Sequence, residues 1–167
     1  MAYDAFLKLG DGSKAKGEST DSKHTNEIEI QRFSIGVANP STVGSGTSGS
    51  GGGKATFDTL RVTKFVDKSS PILLQMSASG DHFDTAQLTI RKAGGKSPLE
   101  YLIYTFTQVY IDSIKTLGES GTAQDRPMDE VSFSYASVHV KYVPQKPDGT
   151  GDSPVEGGWD LIRNEAK

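Results

Sequence analysis

The stretch Leu99–Ile111 constrains the fold more than any other part of the chain. Its residues, Leu-Glu-Tyr-Leu-Ile-Tyr-Thr-Phe-Thr-Gln-Val-Tyr-Ile, are rich in aromatic and β-branched side chains, which are typical of a strand. A strand with one buried face alternates apolar and polar residues. Here apolar side chains occupy both odd and even positions, so both faces need cover. The sequence therefore predicts that a second copy of the same protein covers part of this surface.

Length and composition limit the classes of protein to consider. A chain of 167 residues is expected to form one domain, here residues 1–167, with a core of its own. It contains no cysteine, which excludes disulfides and thiolate metal sites. Its net charge of −3 argues against nucleic-acid binding, because such proteins usually carry a basic surplus.

The N-terminal residues and the hydropathy of the chain indicate whether the protein carries a secretory leader or a membrane span. Met1–Leu9 lacks the basic start, apolar centre and small-residue cleavage site of a secretory leader. No apolar run reaches the ~20 residues of a membrane span. We therefore expect a protein that is made in the cytosol, does not insert into membranes, and leaves the cell, if at all, without a cleavable leader.

The pattern of apolar residues predicts a mainly β fold of about six main strands. The predicted strands are Ala2–Leu9, Glu27–Val37, Ala55–Val66, Phe83–Lys92, Leu99–Ile111 and Glu130–Val143. Ser69, Ser70 and Pro71 begin a short helix that Gly80 closes. Together they predict a two-sheet β-sandwich or partly open β-barrel with one flanking helix.

Two predicted strands change phase along their length. In Glu27–Val37 the change falls near Gln31 and Arg32, and in Glu130–Val143 it falls between Tyr135 and Val138. Such changes indicate a β-bulge or a strand that bends at a sheet corner. Residues 41–54 contain many glycines and predict a flexible loop, and the tail from about residue 144 is expected to be irregular.

No motif points to catalysis, a metal or a cofactor. The glycine-rich stretches lack the strand-before and helix-after context that a nucleotide loop needs. None of His24, His82 and His139 has the spacing of a zinc pair, and His82 is expected to cap the helix. Two alternatives stay open: a monomeric β-sandwich module that binds sugar or peptide, and a hydrolase with a dispersed site that uses His82 or His139.

Successive side chains of a strand point to opposite sides of the sheet, so the predicted strands can be divided into residues that face the core and residues that face away. In the second strand Phe33, Ile35 and Val37 are expected to face the core, so that Arg32 and Ser34 face away. The same parity argument places three further polar side chains opposite the core, namely Gln87, Thr89 and Arg91. The aromatic side chains of the long strand that are expected at a subunit interface are Tyr101, Tyr104, Phe106 and Tyr110.

Several segments resemble one known family. They are Gly17-Glu-Ser-Thr-Asp-Ser-Lys-His24, Glu27-Ile-Glu-Ile30, Phe33-Ser-Ile-Gly36, Val62-Thr-Lys-Phe-Val-Asp-Lys-Ser-Ser-Pro71, Leu88-Thr-Ile-Arg-Lys-Ala-Gly-Gly95, Tyr142-Val-Pro-Gln-Lys-Pro-Asp-Gly149 and Gly158-Trp-Asp160. In this order they are similar to the hemolysin-coregulated protein (Hcp) family, the tube subunits of the bacterial type VI secretion system. The resemblance runs from about residue 2 to residue 164.

The resemblance implies a structural protein related to phage tail-tube subunits, without enzymatic activity. It implies six-membered rings of identical subunits that stack into a hollow tube. It also implies three kinds of partner besides the protein itself, namely a contractile sheath, a spike at the tip and small effectors that are carried and stabilised in the lumen. Contraction of the sheath would expel the tube without a leader. Because the sequence ends at Lys167, we expect none of the extra toxin domain that some relatives carry at the C-terminus.

The resemblance also assigns roles to particular residues. Ser34 matches a serine of the family that lines the pore and contacts effectors, and Arg32, Gln87, Thr89 and Arg91 are candidates for the same surface by parity. Residues 41–54 match a loop that reaches toward the adjacent ring. Its candidate contacts are Ser41, Thr42, Val43, Gly44, Gly49, Gly53 and Lys54. Fixing so many glycines costs roughly 1–2 kcal/mol per residue, so stacking is expected to be weak in isolated protein.

Overall fold

The computed structural model describes residues 3–40, 53–92, 98–121 and 126–167. Over these residues the chain forms twelve strands and one helix. The strands are β1 (Tyr3–Leu9), β2 (Ile28–Glu29), β3 (Arg32–Ser34), β4 (Val37–Ala38), β5 (Thr56–Phe57), β6 (Leu60–Phe65), β7 (His82–Lys92), β8 (Glu100–Leu117), β9 (Met128–Ser134), β10 (Ser137–Tyr142), β11 (Val155–Asp160) and β12 (Glu165–Ala166). The helix α1 spans Ser70–Ser79.

The long strand β8 connects the two halves of the fold. Its first part lies between β7 and β10, in the order β12-β11-β10-β8-β7-β1-β2. Its second part pairs with β9, which pairs with β6 and through it with β3. Both halves contribute to one apolar core, for example through Leu88 and Phe133. The predicted mainly β, sandwich-like fold is confirmed, and the described strands are not closed into a barrel.

Two irregularities in β8 shift its buried face, and the first of them, at Gln108, explains why the second part of Leu99–Ile111 does not alternate. Gln108 has a left-handed backbone with φ of 47°, and a bulge lies between Ile111 and Ser113. Phe106 is buried before Gln108 and Val109 after it, so the buried face changes from even to odd positions. Much of the apolar content on both parities is therefore covered within one molecule, which the sequence argument did not foresee.

Gln108 supplies a test of this geometry. A β-branched side chain is strained at positive φ, whereas glycine adopts it freely. We expect Gln108→Val to lower the free energy of unfolding by about 1–2 kcal/mol and Gln108→Gly to be neutral or stabilising. Urea denaturation of both variants beside the parent chain measures the difference. Equal stability of the two variants would contradict the assigned backbone.

The two predicted phase changes are sheet corners. β2 pairs with β1, whereas β3, three residues later, pairs with β6 in the other half of the fold. Likewise β9 pairs with β6 and β8, and β10, after Tyr135 and Ala136, pairs with β8 and β11. One expectation at the first corner is wrong, because Val37 is 59% exposed in the short β4–β5 hairpin. Phe33 and Ile35 pack against the core as expected.

A buried ionic network attaches the helix to the sheet. The ammonium group of Lys64, 1% exposed, lies 2.8 Å from Asp67 Oδ1 and 3.1 Å from Asp129 Oδ2. Asp129 is fully buried and also accepts hydrogen bonds from the hydroxyls of Ser70 and Thr116. The network satisfies two charges that would be costly to bury alone.

The helix begins and ends as predicted, but His82 does not cap it. Gly80 ends the helix in the left-handed conformation with φ of 71°. Leu73 and Met76 face the core, while Ile72 is half-buried. His82 instead opens β7, where its ring stacks on Tyr110 with centroids 5.0 Å apart. The capping expectation for His82 is therefore corrected.

The tail contains regular structure that the sequence did not suggest. β11 pairs with β10 along its whole length, and β12 pairs with β11. The expectation of an irregular tail from residue 144 is therefore wrong for these two strands. One of the two glycines of β11, Gly158, is required by packing, because a Cβ there would lie 2.8 Å from the Val138 carbonyl oxygen. This close approach is possible only without a side chain.

Candidate functional site

A polar face extends across four strands of the second half of the fold. Residues that are directly opposite in the register point to the same side of a sheet. One row across β3, β6, β9 and β8 consists of Ser34, Arg61, Ser132 and Ser113. The next row consists of Arg32, Thr63, Glu130 and Lys115. We call these eight residues the polar trough.

The polar trough is shallow and open. It encloses about 380 Å³. Its arginine, lysine and glutamate side chains are exposed, and below them Val62 and Val131 are buried in the core. Ser113 and Ser132 are joined by a hydrogen bond between their hydroxyls, 2.7 Å. A wide hydrated surface of this kind can contact a macromolecule, but it lacks the enclosure of a small-molecule pocket.

Two of the five residues that the sequence proposed for the lumen lie in the polar trough. Arg32 and Ser34 are both exposed on β3, as parity predicted. Gln87 is also exposed, but it lies on β7 between Lys8 and Thr105, in the other half of the fold. The exposure of these side chains is observed, and their place in a lumen remains a prediction.

Thr89 and Arg91 are buried, which corrects the parity argument for them. Thr89 is 2% exposed and Arg91 is 8% exposed. The Arg91 guanidinium contacts Asp4 Oδ2 at 3.2 Å, pairs with Asp21 and lies over the Phe6 ring. The hydrogen bond from Arg91 lowers the pKa of Asp21 from 3.8 to about 2. Neither residue is available to line an open passage in this conformation.

The polar segment between β1 and β2 covers Arg91 and Phe6, the register partner of Thr89. His24 stacks on Phe6 with ring centroids 4.3 Å apart, and its Nδ1 lies 2.8 Å from Glu27 Oε2. Gly17 permits this segment to fold back, because a Cβ there would lie 2.3 Å from the Glu27 carbonyl oxygen. The face of β7 that points away from the core is therefore buried by a segment distant in sequence, and the alternation of apolar and polar residues cannot reveal such a contact.

The aromatic residues proposed for an interface have different environments. Phe106 is 0% exposed and packs on Tyr135 at 4.9 Å, so it belongs to the core and its interface assignment is corrected. Tyr101 and Tyr104 are half-buried, and Tyr110 is 44% exposed. The last three remain candidates for contact with another molecule.

An apolar surface extends beyond the core on the other half of the fold. Across β7, β8, β10 and β11 one register row runs from Ile90 through Leu102 and Tyr142 to Val155. Exposure rises along this row from 1% at Ile90 to 47% at Tyr142 and 66% at Val155. The adjacent register row on the same face contains two half-buried side chains, Tyr104 and Val140. We call this surface the apolar overhang, consisting of Leu102, Tyr104, Val140, Tyr142 and Val155.

The proposed stacking loop is only partly within the described residues. Ser41, Thr42, Val43, Gly44 and Gly49 lie outside them. Gly53 and Lys54 are described, and the Gly53 amide donates a hydrogen bond of 3.2 Å to the Pro40 carbonyl. Together with the β4–β5 pair, this bond brings the two ends of the loop together at one place on the surface.

The three histidines do not form a hydrolytic site among the described residues. His24 is buried between Phe6 and Glu27, while His82 stacks on Tyr110. His139 lies 3.4 Å from Glu156 on β11. No serine or threonine hydroxyl of the described chain is hydrogen-bonded to a histidine, and no group of three or more His, Asp or Glu side chains there could hold a metal ion. No helix of the described residues is long and apolar enough to cross a bilayer.

Sequence reasoning missed most of the polar trough. Arg61 and Lys115 lie on strands whose register with β3 could not be known in advance. Glu130 is the first residue of the last predicted strand, and the sequence does not indicate which residues of other strands lie next to it. The alternation of β6, with Leu60, Val62 and Lys64 buried, could have indicated that Arg61 faces away.

Comparison with known proteins identifies relatives that match nearly the whole chain. The family model "Type VI secretion system effector, Hcp" matches residues 6–142. The chain is 42% identical over 165 residues to Protein hcp1 of Pseudomonas aeruginosa, covering 98% of both chains. A solved type six secretion system protein has 38% identity and a TM-score of 0.91, covering 99% of this chain and 100% of that one.

A further solved structure supports the same assignment. Hcp1 from Salmonella typhimurium is 34% identical, with a TM-score of 0.80 and full coverage of both chains. Thus the sequence match and the structural match extend over nearly the whole chain. The chain belongs to the Hcp family of the type VI secretion system.

Proposed function

We propose that the protein is a non-enzymatic subunit of the type VI secretion tube. Copies assemble side by side into a ring, for which the family implies six members, and rings stack into a hollow tube. Expulsion of this tube carries the protein out of the cell. Each interface of such a ring joins two different surfaces of neighbouring subunits, as closed cyclic assemblies require.

The observation that carries the proposal is the apolar overhang. Val155 and Tyr142 are exposed at the end of a register row that begins in the core. Burying apolar area is favourable by roughly 25 cal/mol per Å², so contact with a neighbouring subunit stabilises this surface. Leu102 and Tyr104, half-buried members of the overhang on β8, add to the area that a neighbour could cover.

The polar trough supports the second element of the proposal, which is the lumen. Arg32 and Ser34 are exposed there, together with Arg61 from β6. A hydrated polar wall lets a small effector be held and released without the burial that tight binding requires. The partners on this proposal are further copies of the chain, the spike, the contractile sheath and small effectors. Contacts through residues 41–54 between rings belong to the same proposal.

Particle mass in solution is the direct test. We expect light scattering and native mass spectrometry of the purified chain to give a multiple of the 17.9 kDa subunit. Electron microscopy of the same sample should show rings with a central hole. A monomer at every concentration, especially one that binds glycans or peptides, would contradict the proposal and favour the monomeric binding module.

A further inference from the structure

The cations of the polar trough lack the carboxylate partners that other cations of this protein have. Arg32, Arg61 and Lys115 form no ion pair within 4.0 Å with any carboxylate of the described residues. Glu130 lies opposite Lys115 in the register without closing to that distance. The trough therefore exposes three cations beside a single carboxylate.

Some cations elsewhere on the described surface are paired with carboxylates. Lys141 contacts Glu156 at 4.0 Å, Lys146 contacts Asp152 at 3.8 Å, and Arg163 contacts Glu165 at 3.7 Å. The chain as a whole carries a net charge of −3. The trough is thus a locally positive face on an acidic protein, which the overall composition does not account for.

The shape of the trough increases the effect of these charges. A concave surface lined by one sign of charge concentrates the field and raises the local concentration of oppositely charged groups. In a ring the same three cations would be repeated in every subunit and face a common passage. This step rests on the proposed function.

The chemistry of the trough favours an acidic polypeptide over a nucleic acid. Proteins that bind single strands combine a basic groove with exposed aromatic rings on which bases stack. Phe33, which alone provides an aromatic ring among the described residues lining the trough, packs toward the core and contacts Tyr104 and Tyr3. The hydroxyls of Ser34, Ser113 and Ser132 suit hydrogen bonds to peptide groups and carboxylates.

We propose that the polar trough selects cargo by charge, binding proteins through an acidic surface or an extended acidic segment. Arg32, Arg61 and Lys115 supply the attraction, and the serine row supplies neutral hydrogen bonds that let the cargo shift along the surface. Contacts of this type are weakened by salt, since exposed charges are screened beyond about 8–10 Å at physiological ionic strength.

Binding of defined peptides to the full chain tests the inference. The probes are fluorescein-labelled peptides of repeating Glu-Gly-Ser and of repeating Lys-Gly-Ser, measured by fluorescence anisotropy at low salt. We expect the acidic peptide to bind at least about fivefold more tightly than the basic one, and Arg61→Glu to weaken its binding roughly five- to tenfold. Arg163→Glu makes the same charge change outside the trough and should leave binding within about twofold of the parent.

The outcomes separate this inference from the proposed function. The particle mass is measured on the same samples, so ring formation is known independently of peptide binding. Rings that show no preference for the acidic peptide, or equal losses in Arg61→Glu and Arg163→Glu, would overturn the inference and leave the tube proposal standing. Tighter binding of an oligo-dT strand than of the acidic peptide would also overturn it. Monomers at every concentration would overturn both.

Discussion

Replacing Asp129 with alanine is expected to lower the free energy of unfolding by about 2–3 kcal/mol, because it removes one of the two carboxylates that contact the buried Lys64 ammonium and leaves Asp67 as the other. Lys64 is 1% exposed, so water cannot replace the lost carboxylate. The hydroxyls of Ser70 and Thr116 lose their acceptor in the same variant. Because Ser70 begins the helix, we expect α1 to detach first.

Urea denaturation of three variants measures this effect. Lys141→Ala, which removes an exposed cation paired with Glu156, serves as the control and should change stability by no more than about 1 kcal/mol. The double variant Lys64→Met, Asp129→Leu should recover part of the loss, since it removes the two fully buried charges while Asp67 keeps its hydrogen bonds from Ser69. A loss below about 1 kcal/mol for Asp129→Ala would show that the network contributes little.

The same network predicts a dependence of stability on acid. Burial raises the pKa of Asp129, but hydrogen bonds from Ser70, Thr116 and Lys64 outweigh it, so the folded-state pKa is below the ordinary 3.8. The carboxylate therefore contributes stability above pH 3.8, and this contribution is lost as the pH falls through the lowered folded-state value. In Asp129→Asn, stability should lack this part of the acid-induced loss when both proteins are unfolded at a series of pH values.

Val155→Asp is expected to abolish ring formation while leaving the subunit folded. Val155 is 66% exposed in the isolated chain, so a carboxylate there remains hydrated and costs the monomer little. In an assembly that covers the apolar overhang, the same carboxylate would be buried without a partner, at a cost of several kcal/mol per interface. We expect light scattering to give the mass of a single chain.

The control for Val155→Asp is Val155→Thr, which keeps the shape of the side chain and adds no charge. It should retain rings at the concentration at which the aspartate variant is monomeric. Thermal unfolding followed by circular dichroism confirms that both variants fold. Rings of normal mass from Val155→Asp would show that the apolar overhang does not form the contact between subunits, and another surface would then have to do so.

The long strand β8 shows how far the alternation of apolar and polar residues can predict which face of a strand is buried. Its composition predicted a strand and a need for cover on both faces, and β8 is such a strand. The cover is largely internal, because Gln108 in the left-handed region and the bulge near Asp112 exchange the two faces. A bulge in a strand without glycine or proline leaves no clear local signal, so the buried face could not be followed past residue 107.

The candidate site shows the same limit. Parity correctly placed Arg32 and Ser34 on an exposed face, since that face depends only on the alternation of a short strand. It failed for Thr89 and Arg91, because a segment distant in sequence covers this face, with Asp21 on Arg91 and His24 on Phe6, the register partner of Thr89. Arg61 and Lys115 were missed for a related reason, since only strand register brings them next to Ser34 and Arg32.

The sequence alone determined the main strands before residue 144, the helix with its glycine end, the corners and the family, because propensity, alternation and ordered motifs are local properties of the chain. Tertiary structure decided which strands pair, which polar side chains are buried and where unpaired cations and uncovered apolar residues collect. These depend on contacts between residues far apart in sequence. Strand pairing in this fold joins Asp4 to Arg91 and Ser34 to Arg61, and no local pattern specifies such partners.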